Sequence, residues 1–158
     1  MIDKIDHQIV SLLQTDARLS NAALAEKVGL TTSTVHERVK KLEKKGVIKG
    51  YVALADAEAL GKPIMAFIHL TVGSVSTNYL EAKNSVLSIC QQEPDVLECH
   101  AVAGEDCYIL KVRAASPGGL EKLIERIRCN AQVSRTTTSI VLSTLKETTQ
   151  VMPYVEGD

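Results

Sequence analysis

"SNAALAEKVGLTTSTVHERVKKLEKKG", Ser20–Gly46, reads as two short amphipathic helices joined by a tight turn. Ser20 can accept a hydrogen bond from the amides that open a helix, Leu24 and Val28 lie four apart on one face, and Gly29 can adopt the positive φ that stops it. Leu30 fills the turn and Thr31 or Thr32 caps the next helix. Val35, Val39 and Leu42 then form one apolar stripe to about Lys45, where Gly46 ends the run. Upstream, "IDHQIVSLLQTDARLS" carries Ile5, Ile9, Leu12 and Leu13 at helical spacing, with Asp6 placed to cap, so a first helix is expected over about 6–14. Three short helices with "VGLTT" between the second and third form a helix-turn-helix, whose third helix is of a size to enter the major groove of DNA.

The residue types on that third helix suit the use. With its apolar stripe turned inward, the opposite side presents Thr31, Thr32, Ser33, Thr34, His36, Glu37 and Arg38 near the start, and Lys40, Lys41, Lys44 and Lys45 farther along. Small hydroxyl residues allow close approach to base edges and phosphates, helix-start amides attract anions, and the later lysines fit backbone phosphates. Charge is distributed to match. The chain has a net charge of -1, but residues 1–50 carry nine Lys and Arg against six acids, so a basic first third precedes an acidic remainder. A solvated three-helix bundle is the plain alternative; the turn, the spacing and the charge together favour DNA.

Beyond Gly46 the texture changes. "GVIKGYVALAD" reads as a strand leaving the helices, and "AEALGKP" as a hinge, giving a DNA-binding domain over 1–50, a linker over 51–63 and a second domain over 64–158. In that domain "IMAFIHLTVG", "VLECHAVAG", "CYILKVR" and "RTTTSIVLSTL" read as strands. "NYLEAKNSVLSICQQ" and "SPGGLEKLIERIRCN" read as helices, the first with Leu80, Val86, Leu87 and Cys90 apolar, the second with Ser116 as cap and Pro117 at its first position. The order β-α-β-β-α-β is that of a ferredoxin-like sheet with two helices on one face, so the class is α+β.

At 158 residues the chain has room for these two small domains, and its apolar and charged fractions are those of an ordinary globular protein. It has no apolar run long enough to span a bilayer and no signal-peptide pattern, so a cytoplasmic protein without membrane contact is expected. Cys90, Cys99, Cys107 and Cys129 lack C-x-x-C spacing, which leaves free thiols and no zinc framework.

The motifs "IDHQIVSLLQTDARLSNAALAEKVGLTTSTVHERVKKLEKKGVIKGY", "ALGKPIMAFIHL", "PDVLECHAVAGEDCYILKV" and "TTTSIVLSTLKETT", in that order, resemble the Lrp/AsnC family, the feast/famine regulators of bacteria and archaea, from about Ile5 to Pro153. The resemblance implies a winged-type helix-turn-helix and an ACT-like ferredoxin domain that binds a small effector, commonly an amino acid, and drives assembly. It implies a homodimer built by packing two sheets, with higher oligomers such as octamers, acting on double-stranded DNA as a sequence-specific regulator. A DNA-organising protein with little sequence preference is the alternative. No cofactor is implied.

The family's effector loop typically reads G-D-x-D-[YF], which aligns with Gly104, Glu105, Asp106, Cys107 and Tyr108. A thiol stands where a carboxylate would hold an ammonium group. By resemblance His100, Thr136 and Thr138 join these five as candidate effector residues. Strand alternation sends Glu98 and His100 to the face opposite Cys99, so they form no local metal set, and a pair of Cys107 with His100 on the neighbouring strand has no evident polarising group to lower the thiol pKa. No catalytic or metal residues are therefore expected, and a redox-sensing thiol at Cys107 is a lesser possibility. The tail "VMPYVEGD" reads as a loose end or, through Met152 and Tyr154, as a clasp at a subunit interface.

Overall fold

The computed structural model describes residues 2–72, 79–105, 107–130 and 133–153. Contacts divide the chain into two units, one holding the described residues of Met1–Leu54 and Lys146–Asp158, the other those of Ala55–Leu145. The tail, read from sequence as the end of the second domain, thus groups with the first unit.

The first unit has three helices: α1 Lys4–Thr15, α2 Asn21–Val28 and α3 Thr32–Lys44. Ser20 caps α2 by accepting from the Ala23 amide, and Gly29 closes it at φ 70°, where a side chain would be strained. Thr31, of the two candidates, caps α3. Helix α1 begins two residues earlier than the apolar spacing indicated. Asp3 is its cap, and Asp6 is the third helical residue, reaching back to the Asp3 amide in a reciprocal capping box. Ile9, Leu13, Leu24, Val35, Val39 and Leu42 are buried together and form the core. The expected strand after α3 does not form: residues 47–54 carry no strand, and Val52 and Leu54 are each 79% exposed.

The tail is fastened to α1. The Gln14 side-chain amide donates from Nε2 to the Val151 carbonyl (3.0 Å) and accepts at Oε1 from the Val151 amide (2.7 Å), while Gln150 Nε2 donates to the Gln14 carbonyl (3.1 Å). Residues 150 and 151 are thus not a loose end; Met152 is exposed, and Tyr154 lies outside the described residues.

The second unit follows the order β1 Ile64–Val72, α4 Tyr79–Gln92, β2 Val96–Ala101, β3 Tyr108–Ala114, α5 Pro117–Asn130, β4 Val133–Ile140. Its four strands pair antiparallel in the order β2-β3-β1-β4, the ferredoxin-like arrangement, with β2 and β4 as edges. Ala66, Ile68 and Leu70 of β1 and Tyr108, Leu110 and Val112 of β3 share one face, buried beneath Val86 and Ile89 of α4 and Leu120, Leu123 and Ile127 of α5. Ser116 Oγ accepts from the Gly119 amide (3.1 Å) and caps α5 as expected. Leu87, read as part of the apolar stripe of α4, is instead 51% exposed. The last strand stops at Ile140, so Leu142 and Leu145 lie beyond the sheet and are almost fully exposed.

Candidate nucleic-acid interface and effector loop

The outer side of α3 is built as its spacing required. Val35, Val39 and Leu42 point into the core, which leaves Thr31, Thr32, Ser33, Thr34, Glu37, Lys40 and Lys41 exposed. The Thr31 hydroxyl is engaged within the turn, where it accepts from the Thr34 amide (3.2 Å) and lies 2.8 Å from Thr34 Oγ1 and 3.1 Å from Ser33 Oγ. Thr32, unbonded in that network, is the freest hydroxyl at the helix start. Lys41 and Lys44 sit in the last turn, where the helix dipole favours positive charge.

His36 and Arg38, also in the expected DNA-contacting set, have partners on other parts of the unit. Asn21 Nδ2, on α2, donates to His36 Nδ1 (3.1 Å). Arg38 Nη1 donates to Asp3 Oδ2 and to Asp6 Oδ1, both at 2.7 Å, and the Asp6 side chain is only 7% exposed. These carboxylates raise the Arg38 pKa above its ordinary value. The backbone amide of Asp6, and then the Arg38 guanidinium, hold the Asp3 carboxyl below the usual range. A charged bridge therefore joins the start of α1 to the middle of α3. The sequence carried a signal for it, Asp3 and Asp6 three apart at a helix start, but which cation they meet depends on how α1 packs on α3.

In the second unit, the turn between β2 and β3 is held by two backbone bonds, Val102 N–H to the Cys107 carbonyl (3.1 Å) and Cys107 N–H to the Leu70 carbonyl (2.9 Å). Gly104 adopts φ 147°, outside the range other residues favour, so this position selects glycine. Register sets Tyr108 opposite Leu70 and Leu70 opposite Thr136, which brings Cys107, Tyr108 and Thr136 to one end of the helix-covered face. Tyr108 is buried in the core there, Cys107 is half-buried against it, and the buried Thr136 hydroxyl has no hydrogen-bond partner. Thr138 lies on the same face, opposite Ile68 and farther along the strand. Glu105 is exposed in the turn, and Asp106 lies outside the described residues.

His100 does not join them within one chain. It pairs in register with Ile109 on the other face of the sheet, at the edge opposite β4, and its Nε2 lies 3.0 Å from Glu98 Oε2. Hydrogen bonding to His100, then the Lys111 charge, lowers the Glu98 pKa. Cys99 pairs with Leu110 on the helix side, so Cys99 and His100 do face opposite ways. Among the described residues, no group of three or more His, Cys, Asp or Glu is placed to hold a metal, and no helix is long and apolar enough to cross a membrane.

Comparison with known proteins finds two family models along the chain. Residues 2–49 match the winged helix-turn-helix DNA-binding model, and residues 65–151 match the Lrp/AsnC ligand binding domain. The chain is 37% identical to the HTH-type transcriptional regulator LrpA of Mycobacterium tuberculosis, over 96% of this chain and 97% of that one. Among solved structures it resembles a feast or famine regulatory protein of M. tuberculosis complexed with L-methionine, at 37% identity and a TM-score of 0.86, covering 97% of this chain and 100% of the other. It also resembles a transcriptional regulator of Neisseria meningitidis in complex with L-methionine, at 28% identity and a TM-score of 0.87, covering 96% of each chain.

Proposed function

The chain belongs to the Lrp/AsnC family of DNA-binding transcriptional regulators, and from that premise we propose that it reads a pseudo-palindromic DNA site through α3 and responds to an amino-acid effector held by its second unit. The observation that carries the DNA part is the outer side of α3, where exposed Thr32, Ser33 and Thr34 at the amide end precede exposed Lys40 and Lys41. Hydroxyls and Glu37 at the helix start are suited to base edges, and the lysines to phosphates. His36 and Arg38 contribute mainly by holding α3 against α2 and α1, since each already has a partner there.

The effector reading rests on the β2–β3 turn. Two relatives of known structure are complexes with L-methionine. Here Cys107, Tyr108 and Thr136 meet at one end of the sheet, with Gly104 and the exposed Glu105 just before them in the chain, and the Thr136 hydroxyl has no hydrogen-bond partner among the described residues. Tyr108 belongs to the proposed site as its buried floor, and Asp106 by its place in the family's loop motif. His100 and Thr138 would reach a ligand only if a second subunit brings the other sheet face or edge alongside. The protein acts as a homodimer or larger assembly in the cytoplasm, without catalysing a reaction. Leu142 and Leu145, 97% and 96% exposed beyond the last strand, are apolar surface that an assembly would cover.

Mechanistically, an effector that binds one assembly better than another shifts DNA affinity by its differential affinity alone, with a coupling on the order of 1 to 3 kcal/mol, or about 5- to 150-fold. The test is to titrate each of the twenty amino acids against the protein on a duplex enriched by selection, following anisotropy and light scattering together. At least one should change both operator affinity and particle size. Invariance of both across all twenty removes the effector and leaves the DNA reading standing.

A further inference from the structure

Outside the sites described above, the second unit brings two sulfurs together. Cys90 lies in the last turn of α4, which packs against β2, and is half-buried at the margin of the core. Cys99 sits in the middle of β2, with its register partner Leu110 fully buried on the helix side, so its thiol points toward α4. The two thiols lie close enough that each shifts the pKa of the other. Cys99 is also exposed, because β2 is an edge strand and no neighbour screens its outer flank.

We propose that Cys90 and Cys99 are an oxidation site, a thiol pair that a peroxide closes to an intrachain disulfide joining α4 to β2. This inference does not depend on the effector or DNA readings. The chemistry balances with a hydroperoxide as the one co-reactant. The Cys99 thiolate attacks the terminal peroxide oxygen, the O–O bond breaks, and Cys99 becomes a sulfenic acid as the leaving oxygen takes a proton. Cys90 sulfur then attacks Cys99 sulfur, loses its proton, and displaces the hydroxyl as water. Two thiols and one hydrogen peroxide give one disulfide and two waters.

The division of roles follows from the surroundings. Cys99 is exposed on the edge strand and Cys90 only half-buried beside the core, so a peroxide reaches Cys99 first, and Cys99 is the attacking thiol and Cys90 the resolving one. In keeping with this, the neighbouring Cys90 thiol and then His100 lower the Cys99 pKa to about 7 against partial burial, while the Cys99 thiol and burial raise that of Cys90. The consequence is local: β2 runs directly into the 102–107 turn, so the crosslink fixes the strand that leads into the candidate effector loop.

Treating the reduced full-length protein with hydrogen peroxide, blocking residual thiols and cleaving after glutamate separates the three nearby cysteines. Cys90 falls on a peptide ending at Glu93, Cys99 on one ending at Glu105, and Cys107 on the next. The expected product joins the first two, with Cys107 and Cys129 blocked as thiols. Before oxidation, Cys99 should alkylate about fivefold to tenfold faster than an unactivated thiol, the gain in thiolate being partly offset by lower nucleophilicity. Cys90→Ser, checked for folding by circular dichroism, should accumulate a dimedone-trapped sulfenic acid at Cys99. A different crosslink, or oxidation of Cys129 while Cys90 and Cys99 remain thiols, overturns the proposal.

Discussion

Arg38 changed meaning between sequence and structure. In the sequence it reads as one of the DNA-contacting residues near the start of the third helix, but its Nη1 spans Asp3 and the buried Asp6 at 2.7 Å each. Nothing local in the sequence links positions 32 and 35 residues apart, so the pairing was legible only once α1 was seen to dock on α3. A double-mutant cycle of Arg38→Ala and Asp6→Asn should show a coupling of about 1 kcal/mol by urea unfolding, toward the low end because the guanidinium is partly solvated. Arg38→Ala should also weaken DNA binding, with less change in salt slope than a lysine variant gives. The Asp3 carboxyl, held below its ordinary 3.8, adds stability that is fully present above that pH and is lost as the pH falls through the lowered folded value. The thiol at Cys107 was legible from the loop motif, and Cys107→Asp is the substitution that asks what it costs. If the loop holds an amino acid by its ammonium group, calorimetry should show binding appear or strengthen by about tenfold, the scale of one charge-assisted hydrogen bond.

At the scale of the elements, what caps and glycines decide was readable and what partners decide was not. Ser20, Gly29, Thr31 and Ser116 act through bonds to residues within a few positions, so their roles follow from sequence alone. Residues 47–54 have the β-branched composition of a strand, yet a strand needs a second strand to bond to, and among the described residues none pairs with this segment. Alternation set Cys99 and His100 on opposite faces, as the register shows, but only the strand order β2-β3-β1-β4 reveals that His100 and Thr136 stand at opposite edges. Gly29→Ala must hold a side chain at φ 70° and should destabilise the first unit by about 1 kcal/mol, read as a lower Tm, although no atom crowds the new methyl. Lys40→Ala and Lys41→Ala should each lower the salt slope of DNA binding by about 0.9 if each lysine meets one phosphate. Slopes unchanged in both would take this side of α3 out of the interface.

The whole molecule poses the larger physical problem. One short recognition helix covers a few base pairs, so a two-fold assembly that sets two of them about one helical turn apart is what raises both affinity and specificity. The exposed Val52, Leu54, Leu142 and Leu145 are in keeping with a chain completed by its own copies. Selection of the full-length protein on a pool of random duplex DNA tests the central claim most directly. A regulator of this kind enriches two inverted half-sites centred about 10 base pairs, or a multiple of that, apart. A pool that stays random, or that gains only bendable sequence with no half-sites, contradicts sequence-specific recognition by α3.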